Sequence, residues 1–261
     1  MSTVERLVDK AELAELLAKD TALHLYEIGD LDPFFWPHTR WFGQRDKTGR
    51  VGAVALLYSG MDPPTLLAFE RRNIGVAQTL VTGLSPYLPP SFYAHLSSTL
   101  TRCVATRWRR VSNDRFLKMV LADRELLDIS PTAGQPLGPE HLPEVVAFYA
   151  DSYPGNWFDP RMLQTGCYVG IRRNGVLVCT AGVHVYSSAY RVAALGNVAT
   201  DPSLRDQGLA QRATAKLCQS LLATVDTIGL NVKADNAAAI ACYRKLGFEV
   251  AAEFEEVMFE S

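Results

Sequence analysis

The sequence predicts a mixed α/β fold of layered sheets and helices, built as two tandem domains of one design. Three observations carry this expectation. Strand-like and helix-like patterns alternate along the chain. The hexad Arg205-Asp206-Gln207-Gly208-Leu209-Ala210 recurs in its R-x-x-G-x-A spacing as Arg72-Asn73-Ile74-Gly75-Val76-Ala77. Between them lies a stretch rich in Pro and Gly, Ile129 to Pro139, of the kind that separates domains. The differences 205−72, 208−75 and 210−77 are each 133, and Gln78 and Gln211 match at that offset. An internal duplication follows, with expected domains at 1–130 and 131–261.

The elements follow in order. Val8 to Lys19 predicts an amphipathic helix, with Leu13, Leu16 and Leu17 on one face. A second helix is expected to end near Gly29, before an aromatic loop of Phe34, Phe35 and Trp36. Core packing explains those aromatics; a substrate-facing loop is the alternative, since Asp30, Asp32 and His38 are interleaved with them. Thr39 to Leu57 predicts a hairpin turning at Asp46-Lys47-Thr48-Gly49, and Thr65 to Phe69 a third strand. Leu88-Pro89-Pro90 cuts short the helix that follows. Phe116 to Leu121 predicts a closing strand.

The second half repeats the scheme. A helix is expected over Glu140 to Ala150, then an irregular aromatic loop, SYPGNWFDP. Strands are expected at Tyr168–Arg172, Val176–Val185 and Tyr190–Thr200, and a helix from Gln207 burying Ala210, Ala213, Leu217 and Leu221. Thr227 to Lys233 predicts the next strand. Asp235 is positioned to cap the following helix, and Gly247 to end it. The tail GFEVAAEFEEVMFE predicts a pair of short strands.

Composition bounds the function. The chain has 261 residues, 48% of them hydrophobic, enough for a sizeable core. A net charge of −2, from 26 basic and 28 acidic side chains, argues against a nucleic-acid surface, and the run Arg107-Trp108-Arg109-Arg110 predicts a solvated edge. The five cysteines (Cys103, Cys167, Cys179, Cys218, Cys242) lack C-x-x-C spacing, so neither a metal site nor a disulfide framework is expected. No run of eighteen apolar residues predicts a membrane span, and no apolar signal core precedes the first helix. The expectation is a cytoplasmic protein, monomer or homodimer.

Chemistry concentrates in two segments. A strand that turns at Arg205 to Gly208 into a helix leaves backbone N–H groups directed at one spot, where the helix dipole favours an anion. Gly208 lets that anion approach closely, and Ala210 is too small to block it. Asn236 and Tyr243 are seven residues apart, two turns along one helical face. R-x-x-G-x-A followed by N-x-x-A-x-x-x-Y-x-x-x-G-F resembles the GNAT superfamily of acetyltransferases. The first half lacks the second motif; its corresponding segment is STLTRCVATRWRRVSNDRFL, so that copy is expected to be degenerate.

The resemblance implies an acyl donor, acetyl-coenzyme A, and an amine acceptor of small size, with a layout similar to glycine N-acyltransferase-like enzymes. It places the pyrophosphate on the amides of Gln207, Gly208, Leu209, Ala210 and Gln211, with Arg205 and Asp206 framing the turn. The pantetheine then runs along Val198, Ala199 and Thr200 like an added strand. Gly196 marks a bulge or a close approach; a bulge there splays the strand from Leu230 and frees N–H groups for the developing oxyanion. Tyr243 would protonate the departing thiolate, with simple packing as its alternative. Asn236 binds the cofactor or caps its helix. Cys242 is a small core residue or an acyl-carrying nucleophile. Relatives place a carboxylate base where this chain has Asn197, and His184 is the fallback, with a structural histidine as its alternative. Two rival functions are a non-catalytic acyl-coenzyme A sensor and an aminoacyl transferase using charged transfer RNA. The absence of G-x-x-x-x-G-K-[ST] disfavours a nucleotide hydrolase.

Overall fold

Two runs of the chain fold on one plan in the computed structural model, which describes residues 4–46 and 48–261. The first run contains β1 (Glu5–Leu7), α1 (Lys10–Leu17), α2 (Leu25–Gly29), β2 (Thr39–Arg45), β3 (Val51–Tyr58), β4 (Thr65–Ala68), α3 (Ile74–Gly83), β5 (Ser91–Leu96), α4 (Ser98–Val104) and β6 (Arg109–Leu121). The second contains α5 (Arg124–Asp128), β7 (Gln135–Pro136), α6 (Leu142–Ser152), β8 (Val169–Arg173), β9 (Val176–Ser187), β10 (Val192–Thr200), α7 (Leu209–Leu221), β11 (Thr227–Lys233), α8 (Ala237–Lys245) and β12 (Phe248–Glu260). In the first, β1 to β4 pair antiparallel in sequence order and β4 pairs parallel with β5. In the second, β7 to β10 pair antiparallel in order and β10 pairs parallel with β11. A helix supplies each parallel crossover, α3 and α7, as a parallel connection requires. The duplication is therefore visible in strand pairing.

The compact units do not follow a single cut at 130/131. One takes the chain up to Lys118, Lys233–Asp235 and Ala252–Ser261; the other takes Met119–Val232 and Asn236–Ala251. The reason lies in β12, one continuous strand instead of the expected pair. Its residues 255–260 run antiparallel to β5, and Val257 and Phe259 enter the core of Phe42, Leu57, Leu66, Leu80 and Phe92. Burying two such side chains contributes roughly 3–6 kcal/mol, enough to keep the tail in that unit. The stretch read as a linker also contributes structure, since β7 comes from it. Lys47 of the expected first hairpin turn lies outside the described residues. In the second hairpin, Asn174 (φ 52°) and Gly175 (φ 81°) turn the chain with both residues in the left-handed region.

The first unit holds a buried cation. Lys118, 3% exposed, directs Nζ at the rings of Phe69 (4.1 Å), Tyr26 (5.0 Å) and Phe254 (5.3 Å). Burial brings its pKa down to about 8, opposed by the charge of Glu27 and helped by that of Arg71. Glu27 is buried too, which would push its carboxyl up; the His24 hydrogen bond and the Lys118 charge hold it below its ordinary value. Between about pH 8 and the ordinary lysine value of 10.5, the unfolded chain carries more protons at this site than the folded one. Stability contributed by Lys118 thus rises with pH across that window, by roughly 3 kcal/mol in all. The expected result is a wild-type denaturation midpoint that gains on that of Lys118→Met from pH 7.5 to 9.5, the other titrating groups acting alike on both proteins. Parallel curves for the two proteins would refute the assignment.

Candidate functional site

The second unit opens its sheet at one point. β10 and β11 pair from Val192/Thr227 to Leu195/Leu230, and there the ladder stops although both strands continue. On the other side, β10 pairs Gly196 with Gly182 and then slips, so that Ala199 faces Thr180 and Thr200 faces Cys179. One extra residue has entered β10, with Asn197 in the left-handed region at φ 54°. Residues 196–200 therefore present a backbone edge with no strand beside it on the β11 side. Both readings of Gly196 hold. It borders the bulge, and the ring of His184 occupies the place a Cβ would take. Val198 and Thr200 remain partly accessible, whereas Ala199 is buried.

Asn197 is not exposed to an incoming substrate as a base would be. It is 4% exposed, its Nδ2 donates to the Tyr168 hydroxyl (3.0 Å), and its carbonyl accepts from the Tyr149 hydroxyl (2.8 Å). An amide also carries no proton that titrates in the working range. The residue braces the bulge, a role that depends on Tyr149 and Tyr168, 48 and 29 positions away in the chain, and so leaves no local signal. His184 is half-buried against Gly196.

From Thr200 the chain passes through a short turn at Pro202–Leu204, capped by Asp201 accepting from the Ser203 N–H (2.8 Å). Asp206 (φ 61°) and Gly208 (φ 70°) then bend it into α7, which starts at Leu209, two residues later than expected. Gly208 is the N-cap. The first backbone bond into the helix runs from the Arg212 N–H to the Gly208 carbonyl (3.1 Å). Among the described residues, no group accepts a hydrogen bond from the N–H groups of Asp206, Gln207, Gly208, Leu209, Ala210 or Gln211. Arg205, Asp206 and Gln207 are exposed, and Leu209 is buried as the anchor of the turn. A Cβ on Gly208 would meet nothing within 4 Å, so the space above these amides is open. Donors, dipole and room together suit a diphosphate.

Helix α8 packs against α7. Its N-cap is Asn236 and not the expected Asp235: Asn236 Oδ1 accepts from the Ala239 N–H at 3.1 Å. The capping alternative for Asn236 is thus realised, and its Nδ2 has no partner among the described residues. Tyr243 is half-buried, with its ring 5.9 Å from that of Phe248. Cys242 is a poor nucleophile, because burial raises its thiol pKa and the Lys245 charge only partly offsets this. Among the described residues no cluster could hold a metal ion, and no helix is long and apolar enough to cross a membrane.

This strand, turn and helix lie within a match to the acetyltransferase (GNAT) family, which covers residues 134–248. That segment is a GNAT acetyltransferase domain. An uncharacterised protein of Mycobacterium leprae is 35% identical over 102 residues, 37% of this chain and 27% of that protein, so the chain spans about a quarter of the curated relative it matches. Two solved structures share the fold over the whole length. A Drosophila protein has a TM-score of 0.74 at 13% identity, covering 100% of this chain and 99% of that one. A tandem GNAT protein from the clavulanic acid biosynthesis pathway has a TM-score of 0.59 at 16% identity, covering 100% and 98%.

Compared with the GNAT domain, the first unit shows what its copy lacks. Its parallel ladder also has four pairs, Thr65/Tyr93 to Ala68/Leu96. From Ala68 to Ile74 is six positions, however, against fourteen from Leu195 to Leu209. The missing eight are the counterpart of the bulged strand and its turn. The offset of 133 is likewise not structural: the ladders are offset by 127 (192−65), and Gly75 lies inside α3 while Gly208 precedes α7. The amides before α3 are also occupied. Glu70 Oε1 accepts from the N–H groups of Arg71 (2.9 Å), Arg72 (2.6 Å) and Asn73 (3.0 Å), placing the chain's own carboxylate on them.

Proposed function

We propose that the GNAT domain transfers an acetyl group from acetyl-coenzyme A to the amine of a small molecule or amino acid, with donor and acceptor bound together. The observation that carries this reading is the set of unclaimed N–H groups from Asp206 to Gln211 beneath open space. A diphosphate meets its hydrogen-bonding needs there without displacing any protein group. The backbone edge of Val198, Ala199 and Thr200, unpaired on the β11 side, suits an amide-bearing arm laid alongside as an extra strand. When bound, the donor supplies a thioester, an acyl group activated toward amines. Main-chain donors at the splay would stabilise negative charge developing on the acyl oxygen. The Tyr243 hydroxyl would give its proton to the leaving sulfur. Asn236 serves by capping α8, which carries Tyr243.

The acceptor amine would lose its proton to water, or arrive neutral, since Asn197 cannot act as a base. His184, whose ring lies against Gly196, is the remaining candidate. The first unit is expected to bind no second donor, because Glu70 already fills its amides.

Titration calorimetry with acetyl-coenzyme A tests the cradle. One donor per chain is the expected stoichiometry. Gly208→Trp is expected to weaken binding at least about 100-fold, by filling the open space and straining a left-handed position. Retained affinity in a folded Gly208→Trp protein would remove the cradle from the proposal. A panel of small amines, followed by release of free thiol, then tests transfer itself; donor binding without thiol release on any amine would favour a sensor.

A further inference from the structure

We propose that Tyr149 and Thr180 are positioning residues: their hydroxyls form a latch on the Asn197 carbonyl that fixes the bulge and so aligns residues 198–200 with the acyl donor. The functional half of this inference rests on the donor-binding reading above; the conformational half does not.

The bulge is not self-supporting. Asn197 sits in the left-handed region, which a residue with a side chain holds only when its surroundings keep it there. Its carbonyl is turned into the protein, where no strand partner can reach it, and a buried carbonyl left unpaired is costly. The Tyr149 hydroxyl, on α6, donates to it at 2.8 Å. Thr180 Oγ1, on β9, lies 3.1 Å from the same carbonyl and 3.1 Å from the Tyr149 hydroxyl. Its single proton can serve either, so one hydroxyl backs up the other. Tyr168 secures the other end of the residue: it takes the Asn197 Nδ2–H and donates to the Val183 carbonyl at 3.1 Å. Burial raises the pKa of both phenols well above the ordinary tyrosine value, so neither loses its proton in the neutral range.

The latch also gives α6 a task beyond packing. Tyr149 joins the ring of Phe158 (5.0 Å), which in turn meets Tyr168 (6.0 Å). Those contacts hold both phenols over the strand and limit their alternatives. If the latch opens, the extra residue in β10 can relax, and Ala199 and Thr200 lose their register with Thr180 and Cys179. The backbone edge offered to the donor moves with them.

The experiment compares Tyr149→Phe, Thr180→Ser and the double variant Tyr149→Phe/Thr180→Val in the full chain. Hydrogen exchange of peptides covering 194–201 is read without ligand. The double variant is expected to exchange at least about tenfold faster there and Tyr149→Phe about threefold faster, the scale of one or two lost hydrogen bonds. Thr180→Ser keeps the hydroxyl and is expected to match wild type. In an active enzyme, the KM for acetyl-coenzyme A should rise about tenfold in the double variant while the KM for the amine stays put. Wild-type exchange in the double variant overturns the latch; if that variant does not fold, unchanged exchange in Tyr149→Phe overturns it equally. Faster exchange with an unchanged donor KM overturns the positioning role. A wild-type protein that never binds acetyl-coenzyme A sinks the functional reading, and the exchange data still decide the latch.

Discussion

Tyr243→Phe is expected to lower turnover by roughly 100-fold while leaving acetyl-coenzyme A affinity within about threefold, the scale expected for loss of one proton donor in the transition state. The substitution is clean because the ring is kept. Tyr243 packs on Phe248 through its aromatic body, and phenylalanine preserves that contact and the helix that carries it. Only the hydroxyl is lost. If its role is to protonate the leaving sulfur, kcat falls and binding does not. If the residue merely packs, both stay constant. Thiol release at saturating amine gives kcat, and calorimetry gives affinity. Cys242 cannot replace it as a covalent relay, since burial disfavours its thiolate. Unchanged turnover would take Tyr243 out of the mechanism.

The second half of the chain was legible because its signals are local. Asn174-Gly175 sets a tight hairpin turn, and alternation in Thr227 to Lys233 gives β11 to the residue. Gly208 and Asp206 mark the turn by their own backbone needs. Features that depend on distant partners were not legible. Asp235 and Asn236 are both good caps, and only the geometry of the Ala239 N–H selects the second. The tail is expected as a pair of short strands. It is one strand, and the compact unit it belongs to changes at those residues. The glycine of the first hexad matched in letters, but a deletion of the bulged segment had shifted its structural place into α3. Tyr149, Thr180 and Tyr168 meet Asn197 across sequence separations of 48, 17 and 29, which no spacing rule connects.

The same division separates two glycines that a sequence treats alike. Gly208 and Gly247 both hold left-handed backbone, at φ 70° and φ 89°. Gly247→Ala is expected to destabilise the GNAT domain by about 4 kcal/mol or more, and Gly208→Ala by only about 1 kcal/mol. The difference is contact. A Cβ on Gly208 meets open space, so alanine suffers the conformational cost alone. A Cβ on Gly247 would overlap the carbonyl oxygen of Asp123, a backbone atom that cannot rotate away. The Gly247 carbonyl also accepts from the N–H groups of Ala122 and Asp123, each at 3.0 Å, so any shift that relieves the clash stretches two hydrogen bonds. Each is worth about 1 kcal/mol, which brings the sum near the stated figure. Chemical denaturation of both variants is the measurement. Equal losses would mean that the segment after α8 can move away from Asp123 at little cost, and that helix α8 with Tyr243 is held less firmly than the contacts around Gly247 require.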